Sequence, residues 1–346
     1  MAKNKKTGKK KHLLYDFFNP SGNGKGVSKE ETKKPRNVKY FFTLFFRNFN
    51  MMFALNVFAI LGNFPLLFGL FALTGRLNNE MSAPASCLFP ALYGTSLISG
   101  LSPSSLALFG VHGTQATTSF YTTATYVFLG ISALVVFTWG IVNAATAYVM
   151  RNLTKGDTTT FVSDIRYSVK RNWKQALLFG VIDLLLLFVI AYDLLIFYLG
   201  TRTYSTFYSV LLGVMVIIAL MYTIMRYYIY TMMVTFDLNI FKLFKNALIF
   251  AIIGFKRNIV ALLGMALIAG LEALLYITIM PLCFALPVVI LISLFNFTGF
   301  YAVYPEIKKV MIDPYYVSDS VGAKTREQAA NDAPEELPEP VFRDRG

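Results

Sequence analysis

Within the long apolar stretches of this 346-residue chain stand a few side chains with chemistry of their own: Asp183, Arg226, Glu272, Asn143 and Asn296. An ionisable group in lipid costs at least a few kcal/mol when unpaired, so each needs a partner or a polar path. By helical rise, Asp183 lies about 10 Å and Arg226 about 12 Å from the same end of their spans, close enough in depth to pair. Such a pair either locks two helices together or lines a route for a solute. Glu272 falls near the middle of its apolar stretch with no basic residue at its depth. It is either an acid hydrogen-bonded to a neighbouring helix or a proton or cation site. The second role requires a polar cavity, to which Asn143 and Asn296 would contribute. Asp183 with Glu272 would be the beginning of an intramembrane acid pair, but their depths differ by about 10 Å, too far to share a proton.

Other chemistry-bearing residues point to less. No Gly-rich phosphate loop ending in Lys-Ser/Thr occurs, no His-Glu-x-x-His and no Gly-x-Ser-x-Gly turn. His12 and His112 are isolated, and Cys87 and Cys283 offer one disulfide at most and no metal framework. Neither an enzyme nor a cofactor or metal is expected. Tyr227, Tyr228 and Tyr230 suit an interfacial aromatic belt or a stacking surface for a ligand. Gly140 with Ala144, and Ala266 with Gly270, are small residues spaced by four that let helices approach closely.

These residues sit in a chain whose solvent is lipid. Hydrophobic residues make up 55% and charged residues only 15%, and the mean hydropathy of +0.54 is too high for an ordinary soluble domain. The net charge of +13 gathers at the N-terminus and between apolar runs, so a nucleic-acid partner is not expected. Crossing a hydrocarbon core of about 30 Å takes about 20 apolar residues. Six stretches reach that length: 51–75, 124–150, 176–199, 206–234, 259–280 and 282–304, the last two divided at Pro281 and Pro287. The expected fold is an all-α polytopic membrane bundle of about six transmembrane helices with two cytosolic amphipathic connecting helices. Phe161, Ile165, Val169 and Trp173 recur every fourth residue in the first connection; Phe241, Phe244 and Leu248 mark the second. Each connection runs into Lys-Arg-Asn, at 170–172 and at 256–258.

Lys and Arg collect in 151–174 and 235–257, whereas 76–123 carries only Arg76 and the turn after Leu199 only Arg202. The positive-inside rule therefore places both termini in the cytosol. Residues 1–39 read as a basic disordered tail whose Lys3, Lys5, Lys6, Lys9, Lys10 and Lys11 attract anionic lipid. Residues 40–312 form the membrane domain, with an outer-side insertion at 76–123. Residues 313–346 read as an acidic disordered tail.

Ala144-Ala145-Thr146-Ala147-Tyr148-Val149-Met150-Arg151, then Gly156-Asp157, then Arg171-Asn172-Trp173-Lys174-Gln175-Ala176 resemble the YesL-like family of bacterial membrane proteins, a domain of unknown function. Phe64-Pro65, Arg226-Tyr227-Tyr228 and Phe244-Lys245-Asn246-Ala247 extend the likeness over roughly 45–312, although the family joins its first two spans by a short connection. The resemblance implies a multi-pass protein of the bacterial cytoplasmic membrane, often encoded beside carbohydrate ABC-transporter components, with no functional residues to carry over. An accessory or assembly protein associated with carbohydrate uptake, partnered by ABC-transporter subunits, is the first functional expectation. An autonomous small-solute transporter or channel using Glu272 and the Asp183/Arg226 pair is the second.

Overall fold

A computed structural model describes residues 35–84, 115–157, 159–203, 206–280 and 285–314. Residues 1–34 of the basic tail, both cysteines, both histidines, Pro281, the 85–114 stretch and residues 315–346 of the acidic tail lie outside these residues, whereas 35–39, read as tail, lead into and begin a helix. The described chain forms ten α-helices and one pair of strands. It divides into two compact units, one within 1–62 and 136–346, the other within 63–135. Five helices are long and apolar enough to cross a membrane, or six if a pair bent by 78° counts as one span. The all-α polytopic architecture stands, with a small antiparallel ribbon added.

That bent pair replaces the first expected span. Helix α1 (Val38–Arg47) starts where the Asn37 side chain accepts the Tyr40 N–H at 2.9 Å, and α2 (Phe49–Gly62) follows it. The expected single helix over 51–75 stops at Gly62 because Pro65 has no N–H to give and its ring obstructs the preceding turn. Pro65 instead opens α3 (Pro65–Leu73) in the second unit.

In that unit α3 packs on α4 (Thr123–Ser132), with Phe68 and Phe71 against Phe128. Strands β1 (Asn79–Pro84) and β2 (Gln115–Phe120) pair antiparallel from Asn79 opposite Phe120 to Pro84 opposite Gln115. Thr122 fastens their base, donating to the Leu77 carbonyl at 2.7 Å while its oxygen caps α4. The insertion read at 76–123 thus leaves the helices through a paired ribbon, inside a unit wider than the insertion itself.

The larger unit contains α5 (Val135–Lys155), α6 (Phe161–Thr203), α7 (Thr206–Thr235), α8 (Ile240–Ile253), α9 (Phe255–Thr278) and α10 (Ile292–Ile307). Helix α7 touches α6, α8, α9 and α10. Its residues from Tyr222 to Val234 are mostly buried, whereas Phe207, Val210, Val214, Ile217 and Leu220 are exposed. Apolar side chains on the outside of a helix bundle are stable only against lipid. The packed core therefore occupies one end of this unit, and Leu185, Phe188 and Leu195 of α6 and Leu263, Leu267 and Leu271 of α9 offer apolar faces as well.

The expected amphipathic connections separate in one case and fuse in the other. Helix α6 runs unbroken for 43 residues through 170–172 into its apolar half, because no Gly or Pro interrupts the stretch before Gly180. Helix α8 ends at Gly254, where a side chain would press on the Tyr228 hydroxyl, and Asn258 bridges the break by donating to the Ala251 carbonyl at 2.9 Å. Both expected connecting segments are helical; the first is continuous with the span that follows it, and the second is α8.

Pro287 opens a π-helical turn, Pro287–Leu291, that leads into α10 and leaves backbone groups unpaired within the helix. Asn56 of α2, fully buried, fills them: its Nδ2 donates to the Pro287 and Val288 carbonyls at 2.8 and 2.7 Å, and its Oδ1 accepts the Ser293 N–H at 2.9 Å. Asn56→Leu strands all three, at roughly 1–3 kcal/mol per buried orphan. We expect this variant to melt well below the wild-type chain in detergent; an unchanged melting temperature would mean that the π-turn closes by itself.

Candidate functional site

The site begins where α5 meets α6. A Cβ on Gly140 would fall on the Ala176 carbonyl oxygen and within 2.7 Å of the Gly180 Cα, so the two backbones are in direct contact. Gly140 on α5 faces both Ala176 and Gly180 on α6, and one turn further on the Ala144 carbonyl accepts from the Ser168 hydroxyl of α6 at 3.4 Å. Gly270 meets no such neighbour: among the described residues nothing lies within 4 Å of a Cβ built on it.

This close approach places Trp139, one residue before Gly140, beside Asp183, three residues after Gly180. The Asp183 side chain is completely buried and receives five hydrogen bonds. Its Oδ1 accepts from Arg226 Nε at 2.6 Å and from the Tyr222 hydroxyl at 2.8 Å; its Oδ2 accepts from Arg226 Nη2 at 2.8 Å, Trp139 Nε1 at 2.9 Å and the Tyr230 hydroxyl at 3.0 Å. A carboxylate has about four lone-pair directions, so this one has no vacant acceptor site for a solute or a metal. The Arg226 fork engages both oxygens, the geometry that makes such pairs strong and directional. Its guanidinium also lies 5.7 Å from the Trp139 ring centre, and Phe179 meets Tyr230 edge-on.

The expected meeting of Asp183 with Arg226 is present; Trp139 and Tyr222, not singled out in the sequence, complete it together with Tyr230, read there as part of a belt. Tyr222, Arg226 and Tyr230 are spaced by four on α7 and so share one helix face, a signal readable beforehand. Trp139 carried no such signal, because its approach depends on the Gly140–Gly180 contact.

The other expected residues do not join this centre. Asn143 donates to the Trp139 carbonyl one turn back at 2.9 Å, and Asn296 accepts from the Tyr227 hydroxyl at 3.4 Å. Glu272 of α9 is half-buried, with Oε2 enclosed and without a hydrogen-bond partner among the described residues. The interfacial belt of tyrosines is also corrected: Tyr227, Tyr228 and Tyr230 are all buried, and their hydroxyls reach Asn296, Asn258 and Asp183. They lie on the most enclosed part of α7, where a buried hydroxyl must find an internal partner.

Basic residues gather around the end of α5. The helix finishes in a Schellman turn, with Gly156 at φ 90° and the N–H groups of Gly156 and Asp157 returning to Leu153 and Asn152. Arg36 donates to the Thr154 and Lys155 carbonyls, each at 2.8 Å, adding its charge where the helix dipole is negative. Arg257, at the start of α9, donates to the carbonyls of Arg36 and Tyr301, and the Tyr301 hydroxyl donates to the Asn37 carbonyl. The chain before α1, the end of α5, the start of α9 and part of α10 therefore meet at one level. Among the described residues, no group of three or more His, Cys, Asp or Glu is placed to hold a metal.

Apolar helices long enough to cross a bilayer, enclosing a hydrogen-bonded charge pair, define a multi-pass helical membrane protein. Residues 119–194 are similar to a family whose model is described as a protein of unknown function, DUF624. That match contains Trp139, Gly140, Gly180 and Asp183, but not the α7 residues that complete the centre. No curated protein and no solved structure matches the chain.

Proposed function

We propose that this chain is an accessory or assembly protein of the bacterial cytoplasmic membrane that acts through partner proteins rather than by carrying a solute or catalysing a reaction. The observation behind this reading is the occupied Asp183 centre. A transport site must exchange its ligand, whereas here the α6 carboxylate accepts five hydrogen bonds from side chains of α5 and α7. Association with carbohydrate uptake, and with ABC-transporter subunits as partners, is supported by the resemblance to the YesL-like family. A cytosolic location of both termini is supported by the excess of Lys and Arg in the connections and by the gathering of Arg36, Lys155 and Arg257 at one level.

The test is affinity purification of the tagged full chain from mildly solubilised native membranes. Transporter subunits recovered in near-equal amounts are the expected result; reproducible recovery of the protein alone overturns the accessory role. A second reading, an autonomous small-solute transporter, rests on one observation: the enclosed, unpartnered Oε2 of Glu272. On the accessory reading Glu272→Gln leaves partner recovery and folded yield unchanged. If the wild-type chain in liposomes carries a solute and Glu272→Gln stops the flux at unchanged folded yield, the transporter reading replaces it.

A further inference from the structure

A cleft of about 1130 Å³ opens between the lower part of α6 and the turn joining α7 to α8. Arg171 and Lys174 line it from α6, spaced by three and so on neighbouring positions of one face, and Lys242 lines it from the first turn of α8. Among the described residues Asp237 is the one acid in its lining, against three cations. Trp173 and Leu178 add exposed apolar surface to the same lining, at 48% and 56% of their full exposure. The walls are tied together, for Gln175 Nε2 of α6 donates to the Leu238 carbonyl of the turn. Asn239 fixes the start of α8 by accepting the Lys242 N–H at 2.9 Å.

Position along α6 identifies the ligand. The apolar stretch starts at Ala176, so Lys174 lies about 3 Å and Arg171 about 7–8 Å outside it by helical rise, and Leu178 about 3 Å within it. The cations therefore sit at headgroup depth while the apolar lining points to the acyl chains. A soluble anion would gain nothing from Leu178 and Trp173, whereas a lipid phosphate satisfies both halves. Basic pockets between helices at a membrane surface bind anionic headgroups in this manner, and long cationic side chains with an aromatic neighbour suit that boundary. We propose that this cleft is a binding site for the phosphate headgroup of an anionic membrane lipid, distinct from the attraction of the basic N-terminal tail. The site does not depend on the accessory reading.

The test measures melting of the purified full chain in neutral detergent with added phosphatidylglycerol, phosphatidylcholine or inorganic phosphate. Wild type and Arg171→Gln/Lys174→Gln are compared; both side chains are exposed, so the substitution leaves the packed core intact. The tail is present in both proteins and cancels. Phosphatidylglycerol is expected to raise the wild-type melting temperature by several degrees, phosphatidylcholine and inorganic phosphate to leave it unchanged, and the double variant to lose most of the gain. An equal gain in the variant, or none in the wild type, overturns the site. A gain from inorganic phosphate equal to that from the lipid overturns the lipid as its source. Native mass spectrometry of the wild type adds a readout independent of any variant: preferential retention of phosphatidylglycerol over phosphatidylcholine is expected, and equal retention overturns the proposal.

Discussion

Asp183→Leu is expected to reduce the folded protein recovered from membranes to a small fraction of the wild-type amount. The substitution leaves the Arg226 guanidinium enclosed without its counter-charge, and it strands Tyr222, Tyr230 and Trp139 as donors without an acceptor. Removing one member of a buried pair costs about 3–5 kcal/mol, a large share of the stability of most domains. Asp183→Asn keeps the shape but turns an NH₂ towards groups that are themselves donors, so it too should destabilise. Arg226→Met is expected to be milder, because the carboxylate retains three hydrogen bonds from Tyr222, Tyr230 and Trp139. Fluorescence-detected gel filtration with thermal challenge ranks the three. Loss from Arg226→Met equal to that from Asp183→Leu would contradict the role assigned to the tyrosines and Trp139.

Gly140→Leu is expected to abolish folded protein, and Gly140→Ala to lower its melting temperature markedly. The added Cβ meets backbone, the Ala176 carbonyl and the Gly180 Cα, rather than a side chain that can swing away. Helices α5 and α6 must separate, and Trp139 then leaves Asp183. Overpacking alone costs about 1–3 kcal/mol. Gly270→Ala is the matched control: among the described residues nothing lies within 4 Å of its Cβ, and alanine is the better helix former by about 1 kcal/mol. It should be neutral or slightly stabilising. Equal loss from Gly140→Ala and Gly270→Ala would remove the crossing as the cause.

The pairing of Asp183 with Arg226 was legible because depth along a helix follows from residue counting, and two opposite charges at one depth in lipid need each other. Span number was legible for the same reason, from length and hydropathy. What escaped depends on contacts between elements. Asn56 is one polar residue in an apolar run, and its use arises only where Pro287 opens the backbone of a segment more than two hundred residues away. The tyrosines of α7 have the composition of an interfacial belt, and only the packing of α6, α8 and α10 around α7 turns them inward. Two connections with similar amphipathic patterns differ because Gly254 stops one helix and nothing stops the other. The anionic-lipid cleft joins α6 to a turn more than sixty residues later, a juxtaposition that periodicity does not encode.

Asp183 and its partners join α5, α6 and α7 as one structural unit. Melting of the double variant Asp183→Leu/Arg226→Met beside the two single variants tests it most directly. A structural pair can be replaced as a unit by apolar residues of similar volume with small loss. The double variant is therefore predicted to be clearly more stable than Asp183→Leu alone and to recover folded protein towards the wild-type amount. A double variant no more stable than Asp183→Leu would contradict the account.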